Sequence, residues 1–199
     1  MKIPLISIPA LALFLAGCST TITEKTPART FENYPAEQKI NLNVGLVLTP
    51  EYRATKWEFH HGGATVLFPI GENLTTNSEY MAGQLFHSVQ VTDAASVPAG
   101  SSINTFLIPQ VKSFEGSSGA FAWSKLVRTL VVEWTLKDSQ NNVIWVDTVR
   151  ADASGHLGTA FSQISNDEKL TGQAIDQLFL KSYQEISAAP EIRKFAAGK

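Results

Sequence analysis

Cys18 is the only cysteine among 199 residues, and its surroundings give it a specific chemistry. It follows Leu15-Ala16-Gly17 and an apolar run from Ile3 to Ala16, which itself follows Met1 and Lys2. One basic residue, a short greasy segment and small residues before a cleavage point make a secretory leader. A lone cysteine in a secreted chain has no internal disulfide partner. Acylation gives that thiol a use, because each buried CH₂ contributes about 0.8 kcal/mol and several acyl chains together hold a protein at a bilayer. The run is shorter than the ~20 residues a helix needs to cross the hydrocarbon core, and Pro4 and Pro9 weaken it further as a permanent span.

Leu15-Ala16-Gly17-Cys18 resembles the lipobox of bacterial lipoproteins. The resemblance implies that residues 1–17 are removed and that Cys18 becomes the diacylated first residue. Ser19 follows it, where an Asp would resemble the inner-membrane retention signal. By that family rule the chain is expected on the outer membrane, lipid-anchored and facing the periplasm.

Other residue types suggest chemistry less specifically. His60-His61 with His87 or His156 are zinc-type ligands, but no His-x₃-His spacing or companion acid accompanies them, and no metal site is assigned. Glu133 and Asp147 fall opposite one another if the Asp138–Asn142 turn closes symmetrically, and paired carboxylates serve acid–base chemistry. A slip of one residue would separate them. Ser154-Gly155-His156 puts a hydroxyl near an imidazole without the G-x-S-x-G elbow of a hydrolase. No catalytic residue and no cofactor follow from these patterns, and the chain reads as a non-enzyme.

Composition narrows the partners. The net charge is −2, and removal of the leader takes one more basic residue away. Phosphate binding needs a basic patch, so nucleic acid is not an expected partner. Without disulfides the stability has to come from an apolar core, and a chain of this length can bury one.

The elements that must position these residues read as follows. Residues 18–38 carry Ser, Thr, Glu, Lys, Pro27 and Pro35 with little periodicity, as a flexible tether does; residues 39–199 form one domain. Ile40, Leu42, Val44, Leu46 and Leu48 alternate as in a half-buried strand, ended by Thr49-Pro50. Lys56–His60 and Ala64–Phe68 flank glycines, as in a hairpin. Leu74, Ser78, Met81 and Leu85 share one face of a helix over Asn73–Phe86, and Ser88–Thr92 is a strand. Ile103–Val111 is a strand whose Pro109 belongs at an edge or a bulge; Ser113–Gly119 reads as a loop. Phe121–Lys137 and Val143–Ser154 are long strands. The symmetric turn would pair Leu136 with Ile144, Thr135 with Trp145 and Trp134 with Val146, putting even-numbered residues of both strands on the core side. A last helix runs from Ser165 to about Ser187 with Leu170, Ala174, Ile175, Leu178, Phe179, Ser182 and Ile186 as its stripe, and Pro190 stops it.

This order predicts a two-layer α+β domain: a mostly antiparallel sheet with two amphipathic helices on one face. The segment from Arg150-Ala-Asp-Ala-Ser-Gly-His156 through Ala160-Phe161-Ser-Gln163 and Asn166, with Pro190-Glu-Ile-Arg-Lys-Phe195, resembles the C-terminal part of the YajG-type lipoproteins. The element order is similar to envelope domains related to the TolB amino-terminal domain and CsgG. That resemblance implies a fold and a compartment, not an activity. Trp57, Phe59, Phe121, Trp123 and Trp145 are more aromatic surface than two helices cover easily, and Trp dominates contact hot spots. Trp57, Phe59, Trp123 and Trp145 are therefore candidates for contact with a protein partner or a second copy, unless Trp57 and Trp123 cover each other. The expected role is scaffolding or accessory work in the envelope. The alternative is an oligomeric component of a transport or secretion system.

Overall fold

The amphipathic patterns become layers in the computed structural model, which describes residues 20–23, 38–61, 64–96, 101–117, 125–156 and 163–198. Its elements are β1 (Thr20–Thr23), β2 (Ile40–Val47), α1 (Pro50–Arg53), β3 (Trp57–His61), β4 (Ala64–Phe68), α2 (Gly71–Leu85), β5 (Phe86–Thr92) and β6 (Thr105–Ser117). After these come β7 (Lys125–Asp138), β8 (Val143–His156), α3 (Gln163–Ala188) and α4 (Pro190–Ala197). The main sheet has the order β5-β2-β6-β7-β8, and a small sheet has the order β1-β4-β3. β5 and β6 both run parallel to β2, whereas β6, β7 and β8 form a long antiparallel meander. A parallel neighbour requires a crossover rather than a hairpin, and α2 supplies it between β2 and β5.

The fold is α+β, with its helices on one face of the sheet. Leu74, Met81 and Leu85 of α2 and Ile175, Leu178, Phe179 and Ile186 of α3 are buried in one core with Leu42, Val44, Leu46, Leu130, Val132, Trp134 and Leu136. Each helix stripe contains one serine, and each serine has a partner. Ser78 Oγ lies 2.9 Å from the Tyr52 hydroxyl and donates to the Leu74 carbonyl at 2.8 Å. Ser182 accepts from Trp134 Nε1 at 2.8 Å, and the Trp134 ring meets Phe179 edge-on. Paired in this way, a buried hydroxyl escapes the desolvation cost it would otherwise carry.

Several expectations need correction. Thr20–Thr23, placed by the sequence in a flexible tether, forms β1 parallel to β4. Ser113–Ser117, read as loop, continues β6. Thr49-Pro50 does end β2 but also begins α1, where the Thr49 hydroxyl accepts from the Tyr52 amide, as an N-cap followed by Pro at the first helical position should. α1 then crowds α2: a Cβ on Gly71 would lie 1.9 Å from the Arg53 carbonyl oxygen. Pro109 lies past the last β2–β6 pair, beside a bulge at 111–113.

The meander's register differs by one residue from the symmetric reading. Trp145 pairs with Leu136, Val146 with Thr135, Asp147 with Trp134 and Thr148 with Glu133. The cause lies in the turn. Asn141 adopts φ 69, the Asp138 carboxylate accepts from the Gln140 and Asn142 amides, and the ladder shifts between Leu136 and Lys137. A left-handed residue followed by one extra residue on the returning strand is the geometry of a bulged hairpin. On β8 the odd-numbered residues therefore face the helices.

Candidate functional site

The meander has two faces with different chemistry. Its inner row on β7 is apolar except for Arg128, which is 1 % exposed. Gly116 and Ala153 are its neighbours across the strands, and their smallness leaves room for the guanidinium. Arg128 donates through Nη2 to Asp167 of α3 and through Nη1 to the Val127 carbonyl at 2.8 Å. Its guanidinium lies 4.6 Å from the centre of the Trp57 ring. Trp57 in turn stacks on Phe68 at 4.9 Å and tilts against Phe114 at 4.8 Å. Burial pushes the Arg128 pKa below its ordinary value, and Asp167 opposes the shift. This stack ties the hairpin arm, the sheet and the start of α3 together.

The outer face carries Thr129, Val131, Glu133 and Thr135 of β7 beside Val146, Thr148, Arg150 and Asp152 of β8. Lys112 Nζ stands 2.9 Å from Glu133, and Arg150 Nη2 stands 3.0 Å from Asp152. Asp152 also accepts from the Thr129 hydroxyl at 2.5 Å. That bond first, and the one from Arg150 second, holds the Asp152 carboxyl below the usual range. Val146 is 54 % exposed on this face, and Val143 is exposed at its turn end.

The contact candidates are placed as follows. Trp57 is 4 % exposed and belongs to the core, so it offers no surface to a partner. Trp145 faces inward through the register shift and is half-buried against the same core. Phe59 lies on β3, though its side chain, like Cys18, Phe121 and Trp123, lies outside the described residues. The Trp57–Trp123 contact cannot be placed for the same reason, whereas Phe68 and Phe114 do cover Trp57.

The other sequence candidates are dispersed. Glu133 and Asp147 are on opposite faces and do not form a carboxylate pair. His60 and His61 sit on β3, His87 on β5 and His156 at the end of β8. Among the described residues no three His, Cys, Asp or Glu gather as a metal site. Ser154 and His156, two residues apart on β8, share the outer side, and no hydrogen bond joins them among the described residues. They border a cavity of about 250 Å³ together with Asn166 and Lys169. The sequence reading overlooked Arg128 and Asp167, although an arginine interrupting the row Leu126, Leu130, Val132, Trp134 was the available signal.

No known family model matches the chain, and no curated protein sequence does. Among solved structures it is similar to a Xanthomonas campestris protein described with the family DUF330, at a TM-score of 0.52 and 13 % identity over 90 % of this chain and 99 % of that one. Looser likenesses include a bacterial lipoprotein and a dodecamer. A minor lipoprotein from Acinetobacter baumannii gives 0.43 at 16 % identity, covering 76 % of this chain and 92 % of that one. A PelC dodecamer from Paraburkholderia phytofirmans gives 0.36 at 16 %, covering 69 % and 89 %. The first shares the fold, and at its identity the fold is all that transfers; the other two carry no weight for function.

Proposed function

We propose that this chain is an outer-membrane lipoprotein of the YajG type, facing the periplasm, with a non-enzymatic scaffolding or accessory role in the envelope. Residues 1–17 are the leader, Cys18 carries the lipid, residues 39–199 are the working domain, and the outer face of its sheet meets a protein. The observation that carries this reading is the Leu15-Ala16-Gly17-Cys18 ending of an apolar leader in a chain with no other cysteine. No described helix is long and apolar enough to cross a membrane, which suits attachment through acyl chains.

The outer face supports the contact half of the reading. The helices take the other side, while Val146 stands open near the turn end of this face, with the Lys112–Glu133 and then the Arg150–Asp152 pair following it along the strands. An exposed apolar side chain beside polar groups suits a protein contact. Metabolic labelling with palmitate should mark the protein, and Cys18→Ser should abolish both the label and membrane sedimentation. Absence of label with unchanged sedimentation would overturn the anchor. For the contact, Val146→Arg should abolish crosslinks formed by a photoreactive residue at position 148 without lowering the melting temperature; crosslinks that persist would reject this face.

A further inference from the structure

β6 has strands on both sides for only its first three residues. β2 accompanies it from Thr105 to Leu107 and ends at Val47, whereas β7 runs beside it as far as Ser117. Among the described residues no strand takes the place of β2 beyond Leu107. α1 turns off there instead. Between it and β6 lies a cavity of about 400 Å³, bordered by Thr49, Glu51 and Thr55 on one side and by Ile108–Val111 on the other. The run is bounded at its far end by the ladder shift between Val111 and Ser113.

We propose that this groove binds an extended peptide segment of a partner protein, which pairs with the edge of β6 at Ile108–Val111 and sets a Lys or Arg side chain against Glu51. A strand edge offers main-chain donors and acceptors to an added strand, and side-chain pockets beside it supply the selectivity. At ~3.3 Å per residue the open run spans about 13 Å, room for four or five residues of peptide. Pro109 has no N–H to give, which shortens any ladder here and discourages indiscriminate strand addition.

The charge of the groove selects the partner. Glu51 is exposed, and its own backbone N–H and the Thr49 hydroxyl hold its carboxyl below the ordinary value. It is therefore ionised throughout the neutral range. No basic side chain among the described residues makes an ion pair with it. A cationic residue on the incoming strand completes the site. The groove is separate from the outer-face contact, and neither depends on the other.

The test uses the full-length lipidated protein in detergent micelles and three blocked pentapeptides: Val-Thr-Lys-Val-Thr, the same peptide with Glu at its centre, and the lysine peptide with N-methylated backbone. The lysine peptide should slow amide hydrogen exchange at Val111, whose N–H faces the open edge, and the N-methylated one should not. Glu51→Lys, a change at an exposed site, should weaken the lysine peptide about fivefold and favour the glutamate peptide, the scale of one exposed ion pair. Unchanged exchange in β6, equal protection by all three peptides, or indifference to Glu51→Lys would each overturn the proposal. Loss of membrane attachment in Cys18→Ser with peptide binding intact would separate this site from the anchor.

Discussion

Arg128 and Arg150 lie on the same pair of strands, each beside an aspartate, on opposite faces of one sheet. Arg128 is enclosed by Trp57, Gly116 and Asp167, whereas Arg150 and Asp152 are open to solvent. The chemistry is the same and the energetics are not. Two charges removed from water depend on one another, because either alone would be left uncompensated in the core. Two charges in water have the solvent as an alternative partner and gain little from each other. The inner pair therefore fixes the position of α3 on the sheet, and the outer pair gives the open face its character.

Removing one member of the inner pair should produce the largest effect. Asp167→Ala is expected to cost about 3–5 kcal/mol, because it leaves the Arg128 guanidinium buried without its counter-charge. Urea unfolding would measure it through the midpoint. A loss below 1 kcal/mol would show that the remaining contacts of Arg128, the carbonyl of Val127 and the Trp57 ring among them, satisfy it without Asp167. Gly116 sharpens the same point. A Cβ there would lie 2.6 Å from Trp57 Cζ2 and 2.8 Å from Arg128 Nη1, so Gly116→Ala should cost about 1–3 kcal/mol through forced repacking. Near-UV circular dichroism should show the displaced Trp57. Replacing both charges, Arg128→Met with Asp167→Leu, should restore stability to within about 1 kcal/mol of the original, since buried pairs commonly exchange for apolar residues at little cost. If the double variant were as unstable as Asp167→Ala, the pair would be contributing more than mutual compensation.

The inner face was largely legible in the sequence, and the reasons are periodic. Leu74, Ser78, Met81 and Leu85 recur at helical spacing, and all are buried. Ile40, Leu42, Val44 and Leu46 alternate, and all reach the core. Such patterns survive because burial acts on every second or every third to fourth residue. What escaped was set by single residues. The left-handed Asn141 and the bulge after it moved β8 by one position, which exchanged Trp145 for Val146 on the outer face. Ser113–Ser117 looked like loop because Ser and Gly have little strand preference, yet β7 supplies a full ladder opposite them. Among the site candidates, aromatic content pointed to contact surface, while Trp57 is spent on the stack with Phe68, Phe114 and Arg128. A charge inside an apolar alternation was the more informative signal than an excess of tryptophan.

The smallest effect belongs to the outer pair, and acid reveals it. Asp152→Asn keeps the shape and removes the charge, so its melting temperature at neutral pH should fall by only a small fraction of the Asp167→Ala change. The Asp152 carboxyl titrates below its ordinary 3.8 in the folded chain, through the Thr129 hydroxyl first and Arg150 second. An acid depressed in this way stabilises the fold fully above its unfolded pKa and loses that contribution as the pH falls through the folded one. The difference between the parent protein and Asp152→Asn should therefore stay constant from pH 8 to about pH 5. It should begin to shrink near the unfolded pKa of about 3.9 and vanish only once the pH is below the folded pKa. A gap that persisted after the carboxyl is protonated in both states would mean that Thr129 and Asp152 hold the strands together by shape alone. In that case the outer pair would resemble the inner one more than their exposures suggest, since it too would be a fixed structural contact and not a solvated one.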